Sequence, residues 1–294
     1  LPYYMEYRTG GSIIRVFRPK VLTFGDKRLL GRITMKMNQW AVCRCFKKIE
    51  ERFDIVYAHF WTSGYNIMPC AIKYQLPLFV ASGEDKIFFT QLISSREVLQ
   101  LKRVVRGVIC VSTKNLKECI ALNLVEKDTC IILPNAVNLD EFYRMEKSIV
   151  RGRLGYAVND FIVVFVGRFV HRKGAKRVSD AIARLKDDSI KSIFIGSTMS
   201  DETNDEEPNC SGILFKGKLK HSDIPLYLNS ADVFILPSLA EGCSNSIVEA
   251  LACGLPVISS DMEFNYDILN TSNAILINPL DVEEIAKSIK YLKE

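Results

Sequence analysis

The chain has 294 residues, 48% hydrophobic and 25% charged, with a net charge of +5; that length favours two domains, and the balance is ordinary for a protein with a sizeable core. No apolar run approaches the roughly 18–20 residues of a membrane-spanning helix, and the opening LPYYMEYRTGG lacks the apolar stretch of a secretory leader. Nine cysteines without a C-x-x-C pair exclude the usual zinc and thiol-redox centres, and the apolar-flanked Cys110, Cys119 and Cys130 read as reduced core residues of a cytoplasmic protein.

Residues 1–52 hold 12 Lys or Arg against 4 Asp or Glu, an excess of +8 that leaves the remainder at −3. The plain reading is a solvated basic face. The sharper one is attraction to an anionic membrane surface or to a phosphate-bearing acceptor. No nucleic-acid motif accompanies the charge, so nucleic acid is not an expected partner. The pattern then predicts strands over Ile13–Phe17, Ile55–Ala58, Leu78–Val80, Val108–Val111 and Cys130–Leu133, with helices over Met35–Glu51 and Ser94–Arg106. The polar stretch from Pro134 through Met145 to about Gly152 has no clear period and reads as a linker, dividing a first domain (1–146) from a second (147–294).

In the second domain, apolar runs at Phe161–Val166, Ser192–Ile195, Ile213–Phe215, Val233–Leu236 and Pro256–Ser259 alternate with predicted helices at Ala175–Lys186, Ile224–Ser230, Ser246–Cys253 and Val282–Lys293. Continuous apolar strands alternating with helices imply a doubly wound parallel sheet, which binds ligands at the carboxyl ends of its strands. The acidic Ser200–Ser211 reads as a solvated surface loop rather than a metal site.

Two stretches carry chemistry. Gly167-Arg168-Phe169-Val170-His171-Arg172-Lys173-Gly174 leaves the strand FIVVFV with Gly at both ends, so backbone can approach a ligand closely. Arg168 and Lys173 offer a fork and a point charge for a diphosphate, with Arg172 left to solvent. Alone, this is also how a solvated turn reads. Glu241-Gly242-Cys243-Ser244-Asn245 follows VFILPS, and a helix carrying Glu249 begins around Ser244 to Ser246. A helix N-terminus is an anion site, and a carboxylate one turn in can accept two hydrogen bonds from a ribose diol.

The E-x7-E pattern, with EG at its start and EALACGLPVISSD closing it, resembles the signature of the family 4 retaining glycosyltransferases (the glycosyltransferase group 1 superfamily). GRFVHRKG resembles that family's GR-x-x-x-KG segment, and ILPNAVNLDEF its stretch at the domain junction, with Ala136 in place of the usual Gly; the likeness runs from about Asp54 to the end. It implies an α/β fold of GT-B type: two Rossmann-like doubly wound domains facing across a cleft, acceptor mostly on the first and donor on the second. It implies a hexosyltransferase of polysaccharide biosynthesis that uses a UDP- or GDP-linked sugar as co-substrate and a glycan or lipid-linked acceptor, with no metal and no other cofactor. The enzyme is expected in the cytoplasm, peripheral at the inner face of a membrane. Arg168 and Lys173 would neutralise the departing diphosphate, and Glu241 would contact sugar hydroxyls. Gly167 and the stretch Gly242, Cys243, Ser244 and Asn245 would line the donor site mainly through backbone, and Glu249 would bind the ribose. The base would lie near Lys216–Lys220.

Two departures accompany the likeness. Ser82 stands where the family usually carries a His near the reacting carbon, which brings Glu84 and Asp85 forward as cleft residues; His59 is either a further cleft residue or a structural histidine. The family's opening strand, Gly-rich loop and helix are not found before Tyr7, nor its closing helix after Glu294, so the resemblance implies truncation at both ends. A nucleotide-sugar epimerase of the same architecture, or a non-catalytic nucleotide-sugar-binding module, stays open at this point.

Overall fold

The computed structural model describes residues 3–9, 11–24, 28–198 and 206–294, and the chain divides into two compact units, Leu1–Leu133 and Pro134–Glu294. The first unit opens on an antiparallel hairpin, β1 (Tyr4–Thr9) and β2 (Ser12–Phe17), which forms a sheet of its own. The run Ile13–Phe17 therefore does not join the α/β rhythm expected of it. It pairs back on β1, with Thr9 opposite Ser12, through a tight turn in which Gly11 takes φ 81°. Helix α1 (Arg28–Phe46) ends before the expected Glu51: at its tail the bonds shorten to the i→i+3 kind, Lys48 N to Cys45 O at 3.0 Å and Ile49 N to Phe46 O at 3.1 Å.

Strand β3 (Val56–His59), helix α2 (Trp61–Lys73), β4 (Leu78–Ser82), α3 (Ser95–Val104), β5 (Val105–Cys110), α4 (Thr113–Ala121) and β6 (Cys130–Ile132) follow. The four strands are parallel, in the order β3-β4-β5-β6. Trp61, Tyr65, Leu78, Val80, Leu101 and Val108 fill the core. Helix α2 contains Gly64 and Pro69, residues that depress helix propensity. Burial of its Trp61, Tyr65 and Met68 face outweighs that, and a Cβ at Gly64 would come within 3.1 Å of Val80 Cγ2, so the glycine sets how closely α2 lies on β4.

The second unit adds α5 (Lys147–Leu154), β7 (Phe161–Val166), α6 (Ala175–Leu185), β8 (Ile190–Ile195), β9 (Ile213–Gly217), α7 (Ile224–Ser230), β10 (Val233–Leu236), α8 (Asn245–Ala252), β11 (Val257–Ser260), β12 (Ala274–Ile277) and α9 (Val282–Lys293). Its six parallel strands run β12-β11-β10-β7-β8-β9, so the order reverses between β7 and β10. Strands β7 and β10 are apolar along their length and β8 over Ile193–Ile195, and all three are largely buried, as a parallel sheet covered on both faces requires.

Residues 134–146, read from sequence as the end of the first domain, belong by packing to the second unit. Phe142 is buried in its core. Asn229 of α7 donates to Tyr143 O (3.0 Å) and Pro225 O (2.9 Å) and accepts from Met145 N (2.7 Å). The stretch read as a linker also contains most of α5, pinned by the buried Arg151: its Nε donates to Ser230 O (2.9 Å), its Nη1 to Val158 O and Asp160 O, and its Nη2 to Asp232 (2.6 Å). Of the acidic Ser200–Ser211, residues 200–205 lie outside the described residues; Glu207 pairs with Lys216 at 3.0 Å.

Candidate functional site

Where strand order reverses in a parallel sheet, the loops after the two flanking strands turn to opposite faces and leave a crevice at the carboxyl edge. Here those loops are 167–174 after β7 and 237–244 after β10, the two segments singled out by sequence. Gly167 N donates to Ile195 O at 2.9 Å. Beside it, Gly196 at the end of β8 takes φ 156°, and any Cβ there would collide with the Gly167 carbonyl. Sequence reasoning passed over Gly196, although a glycine directly after an apolar strand run was the available signal.

Arg177, also unforeseen, ties the two loops together. It is buried on α6, with Nη1 donating to His171 O and Nη2 to Pro237 O, both at 2.8 Å. Burial pulls its pKa below the ordinary arginine value. Gly174, at φ 81°, is where this arrangement needs glycine: a Cβ would sit 2.5 Å from Arg177 Nη2 and 2.9 Å from Pro237 Cγ.

Lys173 Nζ hydrogen-bonds Glu241 Oε1 as an ion pair, and Glu241 is 7% exposed. Arg172 is not left to solvent. Its Nη1 donates to Ala240 O and lies 3.5 Å from Glu241 Oε2, while its own carbonyl accepts from Leu239 N at 2.8 Å. Arg168, in the same loop, is exposed. One buried carboxylate thus meets two cations, and the loop keeps an excess of positive charge.

Helix α8 begins directly after this loop with Ser244 at its N-cap; Ser244 makes no side-chain cap bond and instead meets the Ser246 hydroxyl at 3.1 Å. Asn135 holds the turn in place, its Nδ2 donating to Cys243 O (3.0 Å) and Asn245 Oδ1 (2.7 Å). Burial pushes the Cys243 thiol up, away from the reactive thiolate. Gly242 is buried and Asn245 exposed. Glu249, in the second turn of α8, is buried rather than a surface carboxylate with a partner on its own helix; its Oε1 pairs with His221 Nε2 at 3.0 Å. Free amides at a helix start, three cations and two buried carboxylates at one crevice suit a ligand that carries both phosphate and hydroxyl groups.

The first-unit candidates gather at neighbouring strand ends, His59 pairing in register with Ala81. His59 is exposed, its ring centroid 4.2 Å from that of Phe60. Ser82 is fully buried, donating to Glu84 Oε2 (3.0 Å) and accepting from Cys119 Sγ (3.5 Å). Glu84 Oε1 in turn accepts from Trp61 N at 2.7 Å, satisfying an amide at the start of α2. Asp85 accepts from Lys86 N at 3.0 Å, and its carbonyl receives Lys114. Ser82 and Glu84 are thus committed to holding α2 on β4.

Residues 160–294 match the family described as glycosyl transferases group 1. The glycosyltransferase TuaC of Bacillus subtilis (strain 168), named for teichuronic acid biosynthesis, is 29% identical over 85% of this chain and 64% of its own length. An Escherichia coli protein named UDP-Gal:alpha-D-GlcNAc-diphosphoundecaprenol alpha-1,3-galactosyltransferase is 25% identical over 96% of this chain and 77% of its own. The chain thus spans about two-thirds to three-quarters of the length of these relatives. Among solved structures, sucrose-phosphate synthase from Thermosynechococcus elongatus superposes with a TM-score of 0.78 at 19% identity, covering 99% of this chain and 76% of that one.

Proposed function

The chain carries a glycosyl transferases group 1 domain over residues 160–294 in a GT-B fold, and from that premise we propose that it transfers a hexose from a UDP- or GDP-linked donor to a glycan or lipid-linked acceptor with retained anomeric configuration. The observation that carries this reading is the buried Lys173–Glu241 pair beside the start of α8, at the reversal of strand order. As the bond from the sugar to the diphosphate breaks, negative charge gathers on the leaving oxygen. Lys173, Arg168 and the first amides of α8 offset that charge from positions held before the reaction. Glu241, released from Lys173, takes the sugar's hydroxyls, and Glu249 takes the ribose. Three cations and a helix end supply the compensation that a divalent ion gives elsewhere, so the transfer is proposed to run without metal. The acceptor oxygen attacks the face that the diphosphate leaves, and its proton passes to the departing diphosphate oxygen.

A lipid-linked acceptor draws support from the first unit. A groove of about 630 Å³ lies along α1, walled by Leu29, Ile33, Met37 and Trp40, with Arg32 beside them and Lys36 paired to Glu97 on the same lining. Apolar walls with the Arg32 guanidinium adjoining suit a lipid phosphate. The basic excess of residues 1–52 supports work at the inner face of a membrane from the cytoplasm. Calorimetric titration with UDP and with GDP tests the donor site. One nucleotide binds saturably and weakens in Glu249→Ala; a folded chain that binds neither would overturn the proposal. Proton NMR of the first-formed product reads the anomeric outcome, and inversion removes the retaining assignment.

A further inference from the structure

Glu249 is a buried carboxylate whose one hydrogen-bond partner among the described residues is His221, at 3.0 Å. His221 opens the short turn His221–Asp223 after β9, in a different element from the helix that carries Glu249. Its ring lies against Phe142, centroids 5.2 Å apart, and Phe142 is itself fully buried in the core of the second unit. The ring, with its side chain 62% exposed, thus meets a buried aromatic on one side and the carboxylate on another. We infer that His221 is a positioning residue for ribose recognition, setting the plane of the Glu249 carboxylate before the nucleotide arrives.

The chemistry follows from what each group can do. A carboxylate only accepts hydrogen bonds, so the imidazole nitrogen facing it carries the proton, as it does in the neutral Nε2–H tautomer and in the imidazolium alike. Each carboxylate oxygen has two acceptor positions, so Oε1 keeps the imidazole while both oxygens receive the 2′- and 3′-hydroxyls of a ribose. Without that anchor the glutamate side chain, with three rotatable bonds, must be ordered by the ligand itself, and that ordering weakens binding. Charge on the imidazole is not required, only a donor at that position. Glutamine, whose amide nitrogen falls near the place of Nε2, retains the function.

This inference rests on the donor-site reading, and the experiment separates the two. UDP, GDP and their 2′-deoxy analogues are titrated calorimetrically into the intact chain and into His221→Ala, His221→Gln and Glu249→Ala, with thermal melting of each variant beside them. The nucleotide that binds the parent chain weakens about five- to tenfold in His221→Ala, the loss of roughly one oriented hydrogen bond, and recovers in His221→Gln. Its 2′-deoxy analogue is little affected by His221→Ala, because part of what the anchor positions is already missing. Unchanged nucleotide binding in His221→Ala overturns the inference, as does an equal loss for ribo and deoxy ligands. Should the alanine variant melt early, failure of a stably folded His221→Gln to bind like the parent overturns it as well. If Glu249→Ala also binds normally, the donor-site reading falls rather than the role of His221 alone.

Discussion

The pair Lys173–Glu241 sets one cation against one carboxylate within the crevice. On the proposed donor reading, phosphate oxygens for Lys173 and hydroxyls for Glu241 would have to arrive together, since taking the cation alone leaves a buried carboxylate with Arg172 at 3.5 Å as its remaining basic neighbour. Replacement of Lys173 by Ala is expected to lower turnover about 100- to 1000-fold, the cost of one lost stabiliser of transition-state charge; steady-state kinetics with near-normal kcat would remove its diphosphate role. At this scale the sequence located side chains along the fold and was poor about which way they turn. The places of Lys173 after β7, Glu241 after β10 and Glu249 on α8 were legible because motif and strand ends coincide. Arg172 was misread because nothing local shows that the backbone carbonyl of Ala240 waits for it. Arg177 and Gly196 act through contacts with other loops, and a single chain segment carries no sign of such contacts.

Elements were legible where periodicity alone decides them. Strands β7 and β10 and helices α7 and α9 fall on the residues expected from their patterns. Helices α2 and α5 did not show: one carries Gly64 and Pro69, and the other is eight residues long and rich in charge. Tertiary packing holds both. Asn229 serves α7 and segment 134–146 at once through three hydrogen bonds, so Asn229→Ala is expected to lower stability by about 2–3 kcal/mol, as buried backbone groups lose their partners; urea denaturation measures it. Helix α3 carries a capping box between Ser94 and Glu97. Burial opposes charge on Glu97, but hydrogen bonds from Lys36, the Ser94 amide and Tyr65 outweigh it and hold the carboxyl down at about 2. A depressed carboxyl stabilises the fold above its unfolded value of 4.5, and that contribution is lost as pH falls from there towards 2. The Glu97→Gln variant should accordingly melt lower than the parent near neutrality, with the gap closing under acid.

The whole molecule combines two units with separate cores and an uneven charge, +8 on residues 1–52 against −3 elsewhere. Vesicles containing anionic lipid should retain the chain in flotation at low salt. Neutral vesicles should not, and roughly 1 M salt, where the Debye length is about 3 Å, should release it; equal retention by neutral vesicles would show that charge is not the cause. The order of the sheet has a consequence for biosynthesis. Strand β10 slots in beside β7, with Val233 opposite Val163, so a ribosome must deliver both strands and everything between them before either loop has its neighbour. Until then FIVVFV presents an open, apolar edge to other nascent chains. The crevice arrives with β10, and a chain halted short of Val233 lacks it; the open apolar edge then passes to β10 itself and is closed by β11.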